Sequence, residues 1–298
     1  MLISIAEASN LSGIDDKTIY SWLDSGKLKD YGDGKKRLIN KIEFFHSIPT
    51  VITLFNQKGG VGKTSISVML ADYFEKENFK ILLIDLDPQT NLTQFYFDEI
   101  TLSLYEFLEH NTALNKIVRP YSDNIDVLPA SVKMMTKDTL DFSYILERKE
   151  YFQSLFKKYQ IVIIDCPPTL NFLSRLGVML SNFIIIPLLC EPLSYEGLAE
   201  TLKTINLFKK QNSDFVEFKA LINSFKTRRA TIRESMLETF KTSLKDDLLK
   251  ESLPDFIGVV ERFATRKNIF DMYQNDAVRK IKSLFEHVEK IIYEDRGK

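Results

Sequence analysis

Six short runs of mostly β-branched and other apolar residues recur from residue 51 onward, at 51–55, 81–84, 125–128, 161–164, 183–188 and 218–222. Three of them, at 81–84, 161–164 and 183–188, are apolar without interruption. A strand solvated on one face alternates polar with apolar, whereas one covered on both faces does not. Longer stretches with helical periodicity separate the runs. Residues 65–77, for example, set Ile66, Met69, Leu70, Tyr73 and Phe74 on one side. Strand and helix in alternation predict a mostly parallel sheet with helices on both faces, a doubly wound α/β fold. The last such segment carries Ala277, Ile281, Leu284, Val288, Ile291 and Ile292 at three- and four-residue steps, an amphipathic helix packing back on the body.

Residues 1–48 break this rhythm. ISIAEASNLSGIDDKTIYSWLDSGKL predicts a helix, a turn at Gly13 and a second helix from about Asp15, with Ile19, Trp22 and Leu23 inward. DYGDGKKRLI adds a tight basic hairpin around Gly32 and Gly34, and NKIEFFHSI a third helix. Helix-turn-helix plus wing is the economical reading. The segment resembles the small winged modules of the excisionase and MerR type. Lys17, Thr18 and Tyr20 are expected at the exposed start of the second helix, with Lys35, Lys36 and Arg37 in the wing. These would contact DNA, although a docking or dimerisation module that never touches DNA fits the same residues. Pro49 marks the expected boundary between a module at 1–48 and an α/β domain at 49–298.

Composition narrows the remainder. With 40 Lys and Arg against 41 Asp and Glu, any attraction for nucleic acid must come from local patches. The two cysteines, Cys166 and Cys190, lie in apolar runs without metal-ligand spacing, and read as reduced thiols of a cytosolic protein. No signal-peptide pattern is visible in residues 1–30. The most apolar run, at 183–190, is far too short to span a bilayer.

The first apolar run leads into FNQKGGVGKT and then a helix. A glycine-rich turn between strand and helix exposes backbone N–H groups to phosphate, and the helix N-terminus adds partial positive charge. Gly59, Gly60 and Gly62 permit close backbone approach, Lys63 would reach the β- and γ-phosphates, and Thr64 would hold Mg²⁺. The general loop spacing asks for glycine at position 57, where this chain has Gln57, followed by a second lysine, Lys58. ILLIDLDPQTN ends a strand with Asp85 and Asp87, and IVIIDCPP ends another with Asp165. Ligands of open α/β sheets sit beyond the carboxyl ends of strands, so these carboxylates are expected beside the loop. Asp165 and Asp85 are the expected metal-linked groups, and Asp87 the group that orients attacking water. A lone strand-end aspartate is as readily a helix N-cap, but three converging on one loop are not.

KGGVGKT, LLIDLDPQTNLT and IIDCPP together resemble the ParA family of partition ATPases, within the deviant Walker A class. The likeness runs from about residue 50 to the C-terminus. It implies a Mg²⁺-dependent ATPase that cycles between ATP and ADP. It further implies that Lys58 reaches the partner's nucleotide in a homodimer sandwiching two ATP molecules. The implied nucleotide-binding set is Lys58, Gly59, Gly60, Val61, Gly62, Lys63, Thr64 and Ser65, with Asn223 and Pro254 bordering the adenine. Lys58, Lys63 and Asp87 form the implied catalytic set.

The likeness also implies non-specific DNA binding by the ATP dimer and release through a ParB-like centromere-binding partner. FKTRRATIRE supplies Lys226, Arg228, Arg229 and Arg233, and ERFATRKN supplies Arg262, Arg266 and Lys267. The relatives' basic I-P-R-N-V-R segment becomes LPDFIGVV, so part of the familiar DNA surface is missing. Any one such cluster also fits a solvated charged face. The C-terminal EKIIYEDRGK is mixed in charge, unlike a membrane-inserting basic helix. A cytoplasmic, nucleoid-associated partition ATPase is the leading expectation. A nucleotide-gated repressor of its own operon, acting through the N-terminal module, is the alternative.

Overall fold

The computed structural model describes residues 1–12, 14–34, 36–137, 142–211, 217–223 and 230–295. Gly13, Lys35, Lys226, Arg228 and Arg229, all singled out in the sequence, lie outside these residues.

The N-terminal segment begins with β1 (Leu2–Ser4), α1 (Ile5–Ser12) and α2 (Asp16–Asp24). β2 (Leu38–Asn40) and α3 (Lys41–His46) follow. β1 and β2 pair antiparallel, a ladder the sequence pattern did not reveal because each strand is only three residues long. Asp15 is the N-cap of α2: its carboxylate accepts from the Thr18 N–H at 3.0 Å and the Thr18 hydroxyl at 2.6 Å. Asn40 caps α3 in the same way, accepting from Ile42 and Glu43. Ile19, Ile39, Phe44 and Phe45 are fully buried, and Trp22 packs against them.

The remainder alternates as the apolar runs predict. β3 (Thr50–Leu54), α4 (Lys63–Lys76), β4 (Ile81–Asp85), α5 (Asn91–Tyr96), α6 (Leu104–His110) and α7 (Leu114–Ile117) come first. β5 (Arg119–Pro120), β6 (Ile125–Leu128), α8 (Phe142–Phe156), β7 (Ile161–Asp165) and α9 (Phe172–Leu180) follow. The chain continues through β8 (Phe183–Leu188), α10 (Pro192–Gln211), β9 (Glu217–Ile222) and α11 (Ala230–Leu244) to α12 (Gly258–Thr265), α13 (Ile269–Met272) and α14 (Asp276–Lys290). One sheet has the order β5-β6-β4-β7-β3-β8-β9, parallel throughout except for the antiparallel β5 edge. That two-residue edge strand was not foreseen, since two residues carry no period.

Both sheet faces are dry, which explains the unbroken apolar runs. Ile52, Leu54, Leu83 and Ile163 face one core with α4 and α14, while Leu82, Ile84, Val162 and Ile186 face a second core with α8 and α9. The N-terminal segment packs on the first core. His46 lies 4.2 Å from the Tyr293 ring and 5.4 Å from Phe79, centroid to centroid. Burial there pushes the His46 pKa down. Among the described residues, no helix is long and apolar enough to cross a membrane.

Candidate functional site: a phosphate turn beneath an aromatic wall

β3, β4 and β7 end side by side, with Asp85 opposite Asp165 in the parallel register and Leu54 opposite Asp165 on the other side. The turn after β3 is therefore laid over two strand-end carboxylates. Gly60 and Gly62 adopt φ of +74° and +93°, backbone that side-chain-bearing residues rarely enter. Gly62 caps α4, and a Cβ on it would lie 2.1 Å from Asn223 Nδ2. That amide donates to the Val61 carbonyl at 2.8 Å, so β9 braces the turn from above.

Gln57, at the position where the general spacing has glycine, is a brace as well. Its Nε2 donates to Thr204 Oγ1 of α10 at 3.0 Å. Asn56 accepts from the Lys58 N–H at 2.8 Å and donates to the Pro187 carbonyl at 2.7 Å. Lys63 is buried, with Nζ donating to the Asn56 and Lys58 carbonyls at 3.0 and 3.1 Å. Desolvation lowers its pKa, and the Asp165 carboxylate opposes that shift. An ammonium held only by carbonyl oxygens is poised to exchange them for phosphate oxygens.

Thr64 donates through Oγ1 to Asp165 Oδ2 at 2.6 Å. Asp165 is fully buried, and burial together with neighbouring Asp85 raises its pKa to about 8. A hydroxyl and a carboxylate are the hard oxygen donors Mg²⁺ prefers, and Mg²⁺ takes few protein ligands besides phosphate and water. The donor set fits that ion. The described residues hold no group of three or more His, Cys, Asp or Glu that could retain a metal without such help.

Asp85, expected beside the metal, has both carboxylate oxygens engaged within its own chain. Its Oδ1 accepts from the Asp87 N–H at 3.0 Å, and its Oδ2 from the Thr93 N–H at 2.8 Å and the Thr93 hydroxyl at 2.7 Å. Burial raises its pKa to about 7. The carboxyl ties the loop after β4 to α5, and Asp87 on that loop is buried at 8% exposure. Asp87 in turn accepts from the Gln89 N–H at 2.9 Å.

Gly60, Gly62, Thr64, Ser65, Asn223 and Pro254 line one cavity of about 560 Å³. Six of the ten residues expected around a nucleotide therefore line one cavity, and Lys58, Gly59, Val61 and Lys63 do not. The opposite wall was not foreseen: Phe95, Phe256, Val259, Val260 and Phe263 also line the cavity. Phe95 and Phe263 meet edge to face at 4.9 Å. Nothing in the local pattern around Phe95 or Phe263 distinguished these rings from core aromatics.

Lys58 Nζ pairs within its own chain with Glu191 and lies 3.3 Å from Ser194 Oγ. Neither partner was singled out in the sequence. A Cβ added at Gly59 would meet the Pro168 side chain at 4.0 Å.

The basic residues expected to meet DNA divide. Arg262 is 1% exposed, pairs with buried Asp72 at 3.3 Å and donates to the Phe95 carbonyl at 3.1 Å, so it is not a DNA contact. Arg266 is half-buried and pairs with Asp98, while Lys267 is exposed and Arg233 half-buried. In the N-terminal segment Lys17, Tyr20 and Lys36 are exposed. The Thr18 hydroxyl is engaged by the Asp15 cap, and Arg37 pairs with Asp24 at 2.6 Å and Asp30 at 3.5 Å while lying over Tyr20.

A parallel sheet with this turn at a helix N-terminus, over strand-end carboxylates, defines a P-loop nucleotide-binding protein. Residues 49–218 match the family model of an AAA domain, and residues 2–47 that of a helix-turn-helix domain. The chain belongs to the ParA/Soj-like family of AAA domains and carries an N-terminal helix-turn-helix segment. It is 28% identical to the sporulation initiation inhibitor protein Soj of Bacillus subtilis over 218 residues, covering 71% of this chain and 86% of Soj. It is 26% identical to the virulence plasmid ParA family protein pGP5-D of Chlamydia psittaci, covering 80% and 93%. Among solved structures, a putative plasmid partition protein of Borrelia burgdorferi bound to AMPPNP is 25% identical with a TM-score of 0.67, over 82% of this chain and 99% of that one. Cobyrinic acid a,c-diamide synthase of Mycobacterium smegmatis, bound to ADP and magnesium, shares the fold with a TM-score of 0.70 at 23% identity, over 84% and 97%.

Proposed function

We propose that this chain is a DNA-partition ATPase whose ATP-bound form is a dimer that holds DNA non-specifically until hydrolysis releases it. One observation carries the reading: the phosphate turn, Thr64 and the Asn223–Pro254 wall line a single cavity, and the Thr64 hydroxyl ties that cavity to the buried Asp165 carboxyl behind it. Lys63 would leave its carbonyl partners for the β- and γ-phosphates, and the N–H groups from Gly59 to Ser65 would follow the phosphate chain. Thr64 and Asp165 would hold Mg²⁺, which would neutralise phosphate charge. Asp87, placed by the Asp85-anchored loop, would orient the attacking water. Adenine would sit against Asn223, Pro254 and the aromatic wall.

Lys58 would act across the dimer. Its ammonium would have to exchange Glu191 for the partner's γ-phosphate, an exchange favoured only when that phosphate is present. A ParB-like protein would be the hydrolysis-stimulating partner. Lys267, Arg266 and Arg233, with Arg228 and Arg229 outside the described residues, are the DNA contacts proposed for the α/β domain at 49–298.

A second reading rests on the helix-turn-helix match over 2–47. The module at 1–48, through Lys17, Tyr20, Lys36 and Arg37, would repress the chain's own operon under nucleotide control. Arg37 would first have to leave Asp24 and Asp30. Gel shifts on random and operator DNA, each with ATP and with ADP, separate the two readings. Random-DNA binding that requires ATP supports partition, and operator selectivity in ADP supports repression. Light scattering with ATP tests the dimer: Lys58→Ala should bind ATP yet remain monomeric. Dimerisation of that variant at the wild-type ATP concentration would remove Lys58 from the interface.

A further inference from the structure

Among the described basic residues of the α/β part, Arg262 is the most deeply buried, at 1% exposure against 7% for Lys63. Its guanidinium touches three elements. It pairs with Asp72 of α4 at 3.3 Å, donates to the Phe95 carbonyl of α5 at 3.1 Å, and lies over the Tyr96 and Tyr121 rings at 4.8 and 5.7 Å. Asp72 uses its other oxygen to accept from the Ile269 N–H at 2.9 Å, and its carbonyl accepts from Asn268 Nδ2 at 2.9 Å. One carboxylate on the helix that begins at the phosphate turn thereby fastens α12 and the start of α13.

Arg262 itself does not line the nucleotide cavity, but its neighbours on α12 do: Val259, Val260 and Phe263. Phe95, whose carbonyl Arg262 holds, supplies the facing ring. The outer face of α12 is otherwise poorly covered, with Val260 67% and Phe263 45% exposed. Little apolar burial on that side retains the helix, so its placement depends on the inward side chains, Val259 and Arg262.

We infer that Arg262 is a positioning residue for the base end of the cavity, setting the Phe95–Phe263 wall at a fixed distance from the phosphate turn through Asp72. The inference rests on the nucleotide reading above and extends it from the phosphates to the base. It makes the purine, rather than the triphosphate, the part of the ligand that depends on α12. A planar guanidinium serves here because it can meet a carboxylate, a carbonyl and two ring faces together, which an ammonium cannot.

Competition binding with ATP, GTP and inorganic triphosphate, each with Mg²⁺, on the full chain tests this. Arg262→Met should weaken ATP about tenfold, the scale of one lost base–aromatic stack, and leave inorganic triphosphate within about twofold. Arg262→Lys should fall between it and the wild type. Because removing one member of a buried ion pair can unfold a domain, Phe263→Ala provides the second arm. It leaves the pair intact and should produce the same selective loss of ATP affinity, with reduced discrimination between ATP and GTP. Equal weakening of ATP and triphosphate in the folded variants, or unchanged ATP affinity in both, would overturn the inference while leaving the nucleotide reading standing. A wild-type chain that binds neither probe would overturn both.

Discussion

Placing a methyl group on Gly62 would strain the phosphate turn in two separable ways. The first is backbone: φ of +93° suits glycine, and an L-residue there costs about 1–2 kcal/mol. The second is contact. The new Cβ would lie 2.1 Å from Asn223 Nδ2, so the amide must swing away and lose its 2.8 Å bond to the Val61 carbonyl, about 1 kcal/mol more. Gly62→Ala should therefore destabilise the nucleotide-free protein by roughly 2–3 kcal/mol. Gly60→Ala is the internal control. Its φ is +74°, yet nothing lies within 4 Å of the added Cβ, so only the backbone cost of about 1–2 kcal/mol applies. The assay is urea unfolding, with equal slopes required before midpoints are compared. In an Asn223→Ala background the contact cost disappears, so a double-mutant cycle should show coupling of about 1 kcal/mol between positions 62 and 223. Equal costs for the two glycines, or an additive cycle, would refute the claim that β9 braces the turn.

Four further outcomes follow from the site. Lys63→Ala should abolish ATP binding by calorimetry, because no other described lysine reaches the centre of the turn; retained affinity would misplace the phosphates. Glu191→Gln frees Lys58 of its charged partner and should lower the ATP concentration needed for dimerisation in light scattering, whereas a higher requirement would make Glu191 part of the active interface. Asp87→Ala should slow turnover at least tenfold while keeping ATP-dependent DNA retention, on the usual scale for loss of a group that positions a nucleophile; wild-type turnover would remove it from the mechanism. The fourth concerns pH. Asp165 is raised from 3.8 to about 8, so it favours the folded state below pH 4 and loses that contribution as pH rises through its folded value. The melting temperature of the nucleotide-free protein should fall more steeply between pH 6 and 8.5 than that of Asp165→Asn, and parallel curves would contradict the burial assignment.

The unbroken apolar runs were legible as strands because a strand covered on both faces advertises itself residue by residue. FNQKGGVGKT was legible because positive φ and helix capping are local requirements. The carboxylates at 85, 87 and 165 were placed correctly at one sheet edge by strand polarity alone. Their division of labour was not. That Asp85 also anchors the loop was hidden, because Thr93 and the Asp87 N–H reach both of its oxygens through contacts set by how the chain turns after β4.

Arg262 shows the other limit. In ERFATRKN it has the same look as Arg266 and Lys267, and a charge cluster on a helix reads as surface. Its partner Asp72 is 190 positions earlier, on a helix whose periodicity gave no reason to expect a buried carboxylate. Sequence by itself therefore determined the doubly wound sheet, the phosphate turn and the edge on which they meet, since those depend on periods and backbone preferences within a few residues. Only the tertiary structure decided which charges are sequestered, which face solvent and which hold Lys58 in place. Those choices depend on desolvation, and desolvation is settled by what packs against a side chain rather than by what precedes it.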